Sequence, residues 1–103
     1  MRKIECYVPE SHLQAVADAL FQAGAGRIGS YERCCYILRG QGQFLPLEGS
    51  KPFTGVPGQL QRTVECKLEL VCEDSLVEAA VAALRRSHPY EEPAFAVIRL
   101  EDL

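Results

Sequence analysis

The chain has 103 residues, 48% hydrophobic and 24% charged, with a formal net charge of −3. These values are typical of one small globular domain and exclude a disordered tail. No apolar run reaches the ~20 residues of a membrane span, and no signal-peptide block follows Met1. We therefore expect one domain, residues 1–103, that is cytoplasmic and does not enter a membrane.

The cysteines indicate a reducing compartment. There are five, an odd number, and no two have the CxxC spacing of zinc fingers. Alternation places three of them on buried strand faces, where cysteine acts as a small hydrophobe: Cys6, Cys66 and Cys72. Cys34 and Cys35 are adjacent, so within a strand they would point to opposite faces.

The first half of the chain predicts a strand, a helix and a second strand. Residues 3–8 alternate apolar and polar side chains, which is typical of a strand with one buried face. Ser11 and Gln14 match a helix-capping box. Gly24 is expected to end the helix, and a second strand is predicted over 33–39. The helix is expected to bury the stripe Leu13, Val16, Ala17, Leu20 and Phe21.

The second half repeats the pattern. Residues 64–72 alternate as a strand, and Ser75 with Glu78 forms another capping-box signature. Pro89 is expected to end the second helix, and a last strand is predicted over 94–100. The apolar stripe of this helix is Val77, Ala80, Val81 and Leu84.

Two βαβ halves predict an α+β fold of the ferredoxin-like, split βαβ type (βαββαβ). It has a four-stranded antiparallel sheet with both helices on one face. The other face is then uncovered and mostly charged, with Tyr7 as its one aromatic side chain. Its expected residues are Lys3, Glu5, Tyr7, Glu65, Lys67 and Glu69.

Residues 40–58 form a long segment, rich in glycine and proline, between the halves. A solvated linker would carry fewer apolar side chains, so we expect an extended arm that packs on a neighbouring subunit or a protein partner. A loop folded over the edge of its own sheet is the alternative. The candidate contact residues are Phe44, Leu45, Leu47, Phe53 and Val56.

Gly24, Gly26 and Gly29 match the GxGxxG pattern of dinucleotide-binding loops. That pattern binds pyrophosphate when it follows a strand and opens a helix. Here it follows a predicted helix and leads into a strand. We therefore interpret it as a helix end and turn that need positive φ angles.

The densest chemical cluster is HPYEEP at 88–93, in which two prolines flank an imidazole, a phenol and two carboxylates. The candidate ligand-binding residues are His88, Tyr90, Glu91 and Glu92. No residue pattern identifies a cofactor, but His88, Glu91 and Glu92 could contribute to a divalent metal site. Alternatively, His88 interacts with the end of the helix, Tyr90 packs, and the glutamates are solvated.

Several stretches together resemble the central insert domain of the Nif-three-like (YqfO) family. They are GAGRIGSY at 24–31, the glycine and proline succession at 40–58, and HPYEEPA at 88–94. The last is also similar to a motif of the CutA family, which shares its fold with PII signalling proteins. Ala96 departs from the pattern, because the family commonly has Asp there.

The resemblance implies a PII/CutA-like domain that assembles as a homo-oligomer, with a trimer favoured. It also implies that the family's dinuclear metal ligands lie in flanking segments outside this 103-residue sequence. We therefore expect a stand-alone, non-enzymatic binding and oligomerisation module that senses a divalent metal or small ligand at subunit clefts. The alternative is a metal-dependent, hydrolase-like activity at a His/Glu site shared between subunits. Nucleic-acid binding is not expected, because the open face offers only Tyr7 for base stacking and its lysines alternate with glutamates instead of forming a basic patch.

Overall fold

The computed structural model describes all 103 residues and confirms the predicted α+β architecture. Four strands form one antiparallel sheet in the order β2-β3-β1-β4. A short 3-10 turn precedes each helix, at Glu10–His12 and Asp74–Leu76. The elements are β1 (Arg2–Pro9), α1 (Leu13–Gln22), β2 (Tyr36–Phe44), β3 (Gln61–Cys72), α2 (Val77–Ser87) and β4 (Phe95–Arg99).

The core lies between the sheet and the two helices. Alternate residues of β1 and β3 point toward the helices, because side chains on a strand alternate between its two faces. The predicted helix stripes meet them, with Val16, Leu20 and Leu84 fully buried. The strand residues of this core are Ile4, Cys6, Val8, Leu68, Leu70 and Cys72. Neither helix has the length and apolar character needed to cross a membrane.

The two predicted capping boxes are wrong. Ser11 and Ser75 both lie inside 3-10 turns, and neither helix has a side-chain cap at its first residue. The Ser11 hydroxyl instead lies 2.9 Å from Nδ1 of His12. The extra turn moves the start of each helix two residues beyond the serine, so the hydroxyl cannot reach the free N–H groups.

Strand β2 begins at Tyr36 and not at residue 33, and it continues to Phe44. The N–H of Gly26 donates to the Val71 carbonyl (2.7 Å), and the N–H of Cys34 donates to the Gly26 carbonyl (2.8 Å). These bonds hold the preceding turn against the end of β3. Cys34 and Cys35 therefore precede the strand, and the prediction that they occupy its two faces is wrong.

The uncovered sheet face is charged, as expected, and four of its charged residues form ion pairs. Nζ of Lys3 lies 3.2 Å from Glu5 and 3.0 Å from Glu69, while Nζ of Lys67 lies 2.9 Å from Glu69 and 3.6 Å from Glu5. The expectation of Tyr7 as the one aromatic on this face is wrong. The register places Tyr36 opposite Glu69, on the same face, because β2 lies three residues later than predicted.

Candidate functional site

The predicted ligand-binding cluster lies in the turn between α2 and β4, and His88 is its buried anchor. The residue is 6% exposed. Its Nε2 lies 2.7 Å from the carbonyl oxygen of Tyr7 and donates to it, while Nδ1 accepts from the N–H of Tyr90 at 3.1 Å. These two bonds require the neutral ring with the proton on Nε2. Burial is the main cause that lowers the pKa of His88 below its ordinary value, which also favours the neutral form.

This geometry limits what His88 can bind. A metal ligand needs a free ring nitrogen, and both nitrogens of His88 already have partners within the chain. No three histidine, cysteine or acidic side chains in the chain lie close enough to hold a metal ion. A metal centre built from His88, Glu91 and Glu92 is therefore not formed within one chain.

The arm folds back over this turn. Its first five residues, 40–44, belong to β2, and the rest of the arm, 45–58, leaves the end of that strand. The backbone N–H of Lys51 donates to Oε1 of Glu91 at 2.8 Å. Tyr90 contacts two aromatic rings of the arm: its centroid lies 5.8 Å from that of Phe44 and 6.2 Å from that of Phe53. Phe53 also meets the edge of His12 at 5.2 Å. The arm therefore contacts its own chain, which is one of the two arrangements that the sequence left open for residues 40–58.

Three of the predicted arm residues make no such aromatic contact. Leu47 is 72% exposed, and Leu45 and Val56 are about half exposed. The arm therefore has two sides. Phe44 and Phe53 lie against the Tyr90 turn, while the other three side chains are presented outward.

A cavity of about 240 Å³ lies between the arm, the turn and the outer face of the sheet. Tyr90, Glu91 and Glu92 of the predicted cluster line it, whereas His88 does not. Phe44 and Phe53 of the arm also line it. Sequence reasoning did not assign the remaining members to this site: Tyr7, Gln43, Pro46, Ser50, Pro52, Glu65 and Ala94.

Glu65 is the most informative residue that the sequence did not place in the site. It lies on β3, and its side chain crosses the backbone of β2 where residue 42 is glycine. A Cβ on Gly42 would overlap the Glu65 carboxylate, so the glycine makes this path possible. The GQG run at 40–42 was the available signal, because two glycines on one strand face indicate a close approach.

Tyr90 and Glu65 form the floor of the cavity. Burial, followed by the negative charge and hydrogen bonding of Glu65, raises the pKa of the Tyr90 hydroxyl to about 12. The phenol is therefore protonated at neutral pH. A protonated phenol can donate a hydrogen bond within the cavity.

The three glycines of the GxGxxG match form a turn, as interpreted from the sequence. The helix ends at Gln22, and the φ angles of Gly24, Gly26 and Gly29 are +100°, +83° and +56°. The Gly24 N–H donates to the Phe21 carbonyl at 3.0 Å, which closes the helix. The run is a helix C-terminal turn and not the start of a helix.

Comparison with known proteins identifies relatives of nearly the whole chain. No protein-family model matches it. The "GTP cyclohydrolase 1 type 2 homolog" of Mycobacterium leprae is 43% identical over 94 residues, which covers 91% of this chain and 24% of the relative. The Bacillus subtilis protein of the same name is 42% identical over 101 residues, which covers 98% of this chain and 27% of the relative.

Solved structures agree with this relationship. A Bacillus cereus protein described as related to NIF3 superposes with a TM-score of 0.84 at 38% identity, over 98% of this chain and 26% of the other. CutA1 of Pyrococcus horikoshii superposes with a TM-score of 0.71 at 16% identity, over 100% of this chain and 86% of the other. The second likeness shows a common fold and no more.

The chain spans about a quarter of the length of the curated relatives it matches. The same stretch carries the sheet, both helices, the arm and the HPYEEP turn. At 42–43% identity over nearly all of its residues, with the same fold in the NIF3-related structure, the chain is homologous to one segment of the Nif-three-like (YqfO) proteins.

Proposed function

We propose that this chain is a non-enzymatic module that self-associates through strand β2 and binds a small ligand in the cavity beneath its arm. The observation that carries the first part is the exposure of β2. Tyr36, Ile37 and Leu38 are 65%, 46% and 47% exposed, although they are consecutive residues of a regular strand. An apolar edge strand left open on both faces favours pairing with another chain.

The sheet topology supplies a partner for this edge. β2 and β4 are the two outer strands, so each has one row of backbone N–H and C=O groups without a sheet neighbour. If β2 of one copy lies beside β4 of the next, both edges are covered. Contacts of this heterologous type form closed rings of identical subunits when the rotation between neighbouring copies closes, and open filaments when it does not. A ring of three copies is the proposed assembly, in line with the resemblance to PII/CutA-like domains.

The cavity supports the second part of the proposal. It combines aromatic side chains with carboxylates in a concave space, the usual composition of a small-molecule site. A divalent metal at Glu91 and Glu92 would need further ligands from another copy, because one chain does not assemble three such groups. A small organic ligand needs no such completion. A cytoplasmic location belongs to the same proposal, and the five free thiols support it.

The alternative hydrolase-like activity has less support in this chain. The name of the relatives marks them as homologues of a cyclohydrolase, and this chain spans about a quarter of their length. His88, a metal ligand in that alternative, has both ring nitrogens bound internally. We therefore propose binding without catalysis.

The test is native mass spectrometry with sedimentation velocity at micromolar concentration. We expect a trimer for the unaltered protein. Leu38→Lys places a charge on the exposed apolar edge and should give a folded monomer. Ala79→Lys adds the same charge on the exposed face of α2 and should leave the trimer intact. A monomeric unaltered protein, or a Leu38→Lys variant that assembles normally, would refute the proposal.

A further inference from the structure

The cavity beneath the arm combines aromatic rings with carboxylates and contains no basic side chain. Tyr7, Phe44, Phe53 and Tyr90 contribute its four aromatic rings. Three glutamates also line it, and no lysine, arginine or histidine does. Aromatic rings carry negative charge on their faces, so rings and carboxylates both favour a positively charged occupant.

The carboxylates of the cavity lack the cationic partners that others on the same sheet have. Glu5 and Glu69 each lie within 4.0 Å of both Lys3 and Lys67. No ion pair in the chain involves Glu65, Glu91 or Glu92, which lie on β3 and in the adjoining turn. The Lys51 N–H bound to Glu91 is a neutral donor. A formal charge of −3 is therefore concentrated around this space.

Glu65 is held in position at the cavity by the fold. Its side chain lies across the backbone of β2, and only the missing side chain of Gly42 leaves room for it. This path directs the carboxylate toward the Tyr90 side of the cavity, where the tyrosine contacts Phe44 and Phe53. The charge is thus placed beside a group of three aromatic rings.

The cavity has a volume of about 240 Å³ and is open to solvent on the side where Glu91 and Glu92 are exposed. A small organic ion can therefore enter it from solvent, and the lining rather than the size of the space selects the charge of the occupant. Anionic ligands are disfavoured, because three carboxylates would repel them.

We propose that this cavity is a binding site for a small organic cation, a quaternary ammonium ion or a protonated amine, with Glu65 and the Phe53–Tyr90 pair as its recognition elements. The proposal rests on the ligand-binding part of the proposed function and names the chemical class of the ligand. The aromatic rings contact the apolar substituents on nitrogen, and Glu65 neutralises the charge.

Choline and its neutral carbon isostere, 3,3-dimethylbutan-1-ol, test the role of the charge. The two differ by one positive charge at nearly constant shape. Isothermal titration calorimetry with the full chain should show binding of choline and at least tenfold weaker binding of the alcohol. Equal affinity for both would overturn the proposal, as would failure of choline, benzyltrimethylammonium and putrescine to bind at millimolar concentration.

Two variants locate the site. Glu65→Gln keeps the shape of the side chain and removes its charge, and we expect at least tenfold weaker choline binding. Phe53→Leu removes one ring and should weaken choline binding by about threefold or more. Glu48→Gln is the matched control, because this exposed arm glutamate does not line the cavity. Unchanged affinity in Glu65→Gln, with its fold confirmed by circular dichroism, would refute the assignment.

The same samples separate this inference from the proposed function. Acetate and ZnCl₂ serve as an anionic probe and a metal probe. Binding of either one without choline overturns the organic-cation assignment and leaves a ligand-binding module. If no probe binds and the unaltered protein is a monomer, both proposals are wrong.

Discussion

His88 should be among the residues whose replacement costs the most stability, because the fold uses both of its ring nitrogens. His88→Ala removes the bond to the Tyr7 carbonyl and the bond from the Tyr90 N–H. Each such bond contributes about 1 kcal/mol, and a buried group left without its partner costs ~1–3 kcal/mol. We therefore expect a loss of about 2–4 kcal/mol, a large part of the ~5–15 kcal/mol that stabilises a typical domain.

Urea unfolding followed by circular dichroism measures this loss. At ~4–8 °C per kcal/mol for a domain of about this size, the melting temperature should fall by roughly 8–32 °C. His88→Asn offers an intermediate case, because its shorter amide can accept from the Tyr90 N–H but does not reach the Tyr7 carbonyl. His12→Ala is the control, since this ring is only partly buried and should cost less than about 1 kcal/mol. A His88→Ala loss no larger than that of His12→Ala would refute the anchoring role.

The remaining predictions concern pH and three glycines. Burial lowers the pKa of His88 in the folded chain below the ordinary 6.5. As the pH drops through 6.5, the unfolded chain takes up a proton on His88 before the folded chain does, so stability should fall. Urea unfolding between pH 5 and 8 checks this, and the slope should be absent in His88→Asn. Gly26→Ala should cost about 2–3 kcal/mol by thermal unfolding, because φ is +83° and the new Cβ would lie 2.9 Å from the Cys34 carbonyl oxygen. Gly29→Ala, with φ at +56° and open space, should cost about 1 kcal/mol, and equal losses would contradict the close approach. Gly42→Ala should displace the Glu65 side chain at a cost below about 1 kcal/mol, because that side chain is flexible. The pKa of Tyr90 should then fall only in part from about 12 in an ultraviolet titration, because burial, the largest cause, remains, and no change would show that Glu65 does not act on the phenol.

The elements of the fold could be predicted from local patterns. The alternation of apolar and polar residues predicted β1 and β3. The helical spacing of apolar residues predicted the buried helix faces, which include Val16 and Leu20 in α1 and Leu84 in α2. These features repeat along the chain with the period of a strand or a helix, so they can be read without knowledge of the rest of the fold. The capping boxes were wrong because a 3-10 turn depends on how the chain leaves the strand.

The predicted bounds of β2, 33–39, were wrong because the bounds of this strand depend on other parts of the chain. Its start is determined by the hydrogen bond from Gly26 to Val71, which joins residues 45 positions apart. Its end passes through Gly40 and Gly42, residues that local propensity assigns to a turn. The strand forms because β3 offers a long partner, and a tertiary partner overrides local preference.

The residues of the candidate site could likewise be predicted only in part. Tyr90, Glu91 and Glu92 could be identified as an unusual cluster, and Phe44 and Phe53 as apolar residues in need of contacts. The sequence left open whether the arm contacts its own chain or a neighbouring one, so it did not predict that these two groups contact each other. The contact of His88 with the Tyr7 carbonyl could not be predicted, because only the folded chain brings that carbonyl to its ring.

The amino-acid sequence by itself determined the βαββαβ order, the helix-facing core and the resemblance to Nif-three-like (YqfO) proteins. Each follows from periodicity or from a contiguous motif, and both are properties of neighbouring residues. Only the tertiary structure decided the cavity, in which Glu65 of β3 lies beside Tyr90 of the turn and Phe53 of the arm. Convergence of three distant segments depends on sheet register and on the space left by Gly42, and neither is a property of any short stretch of the chain.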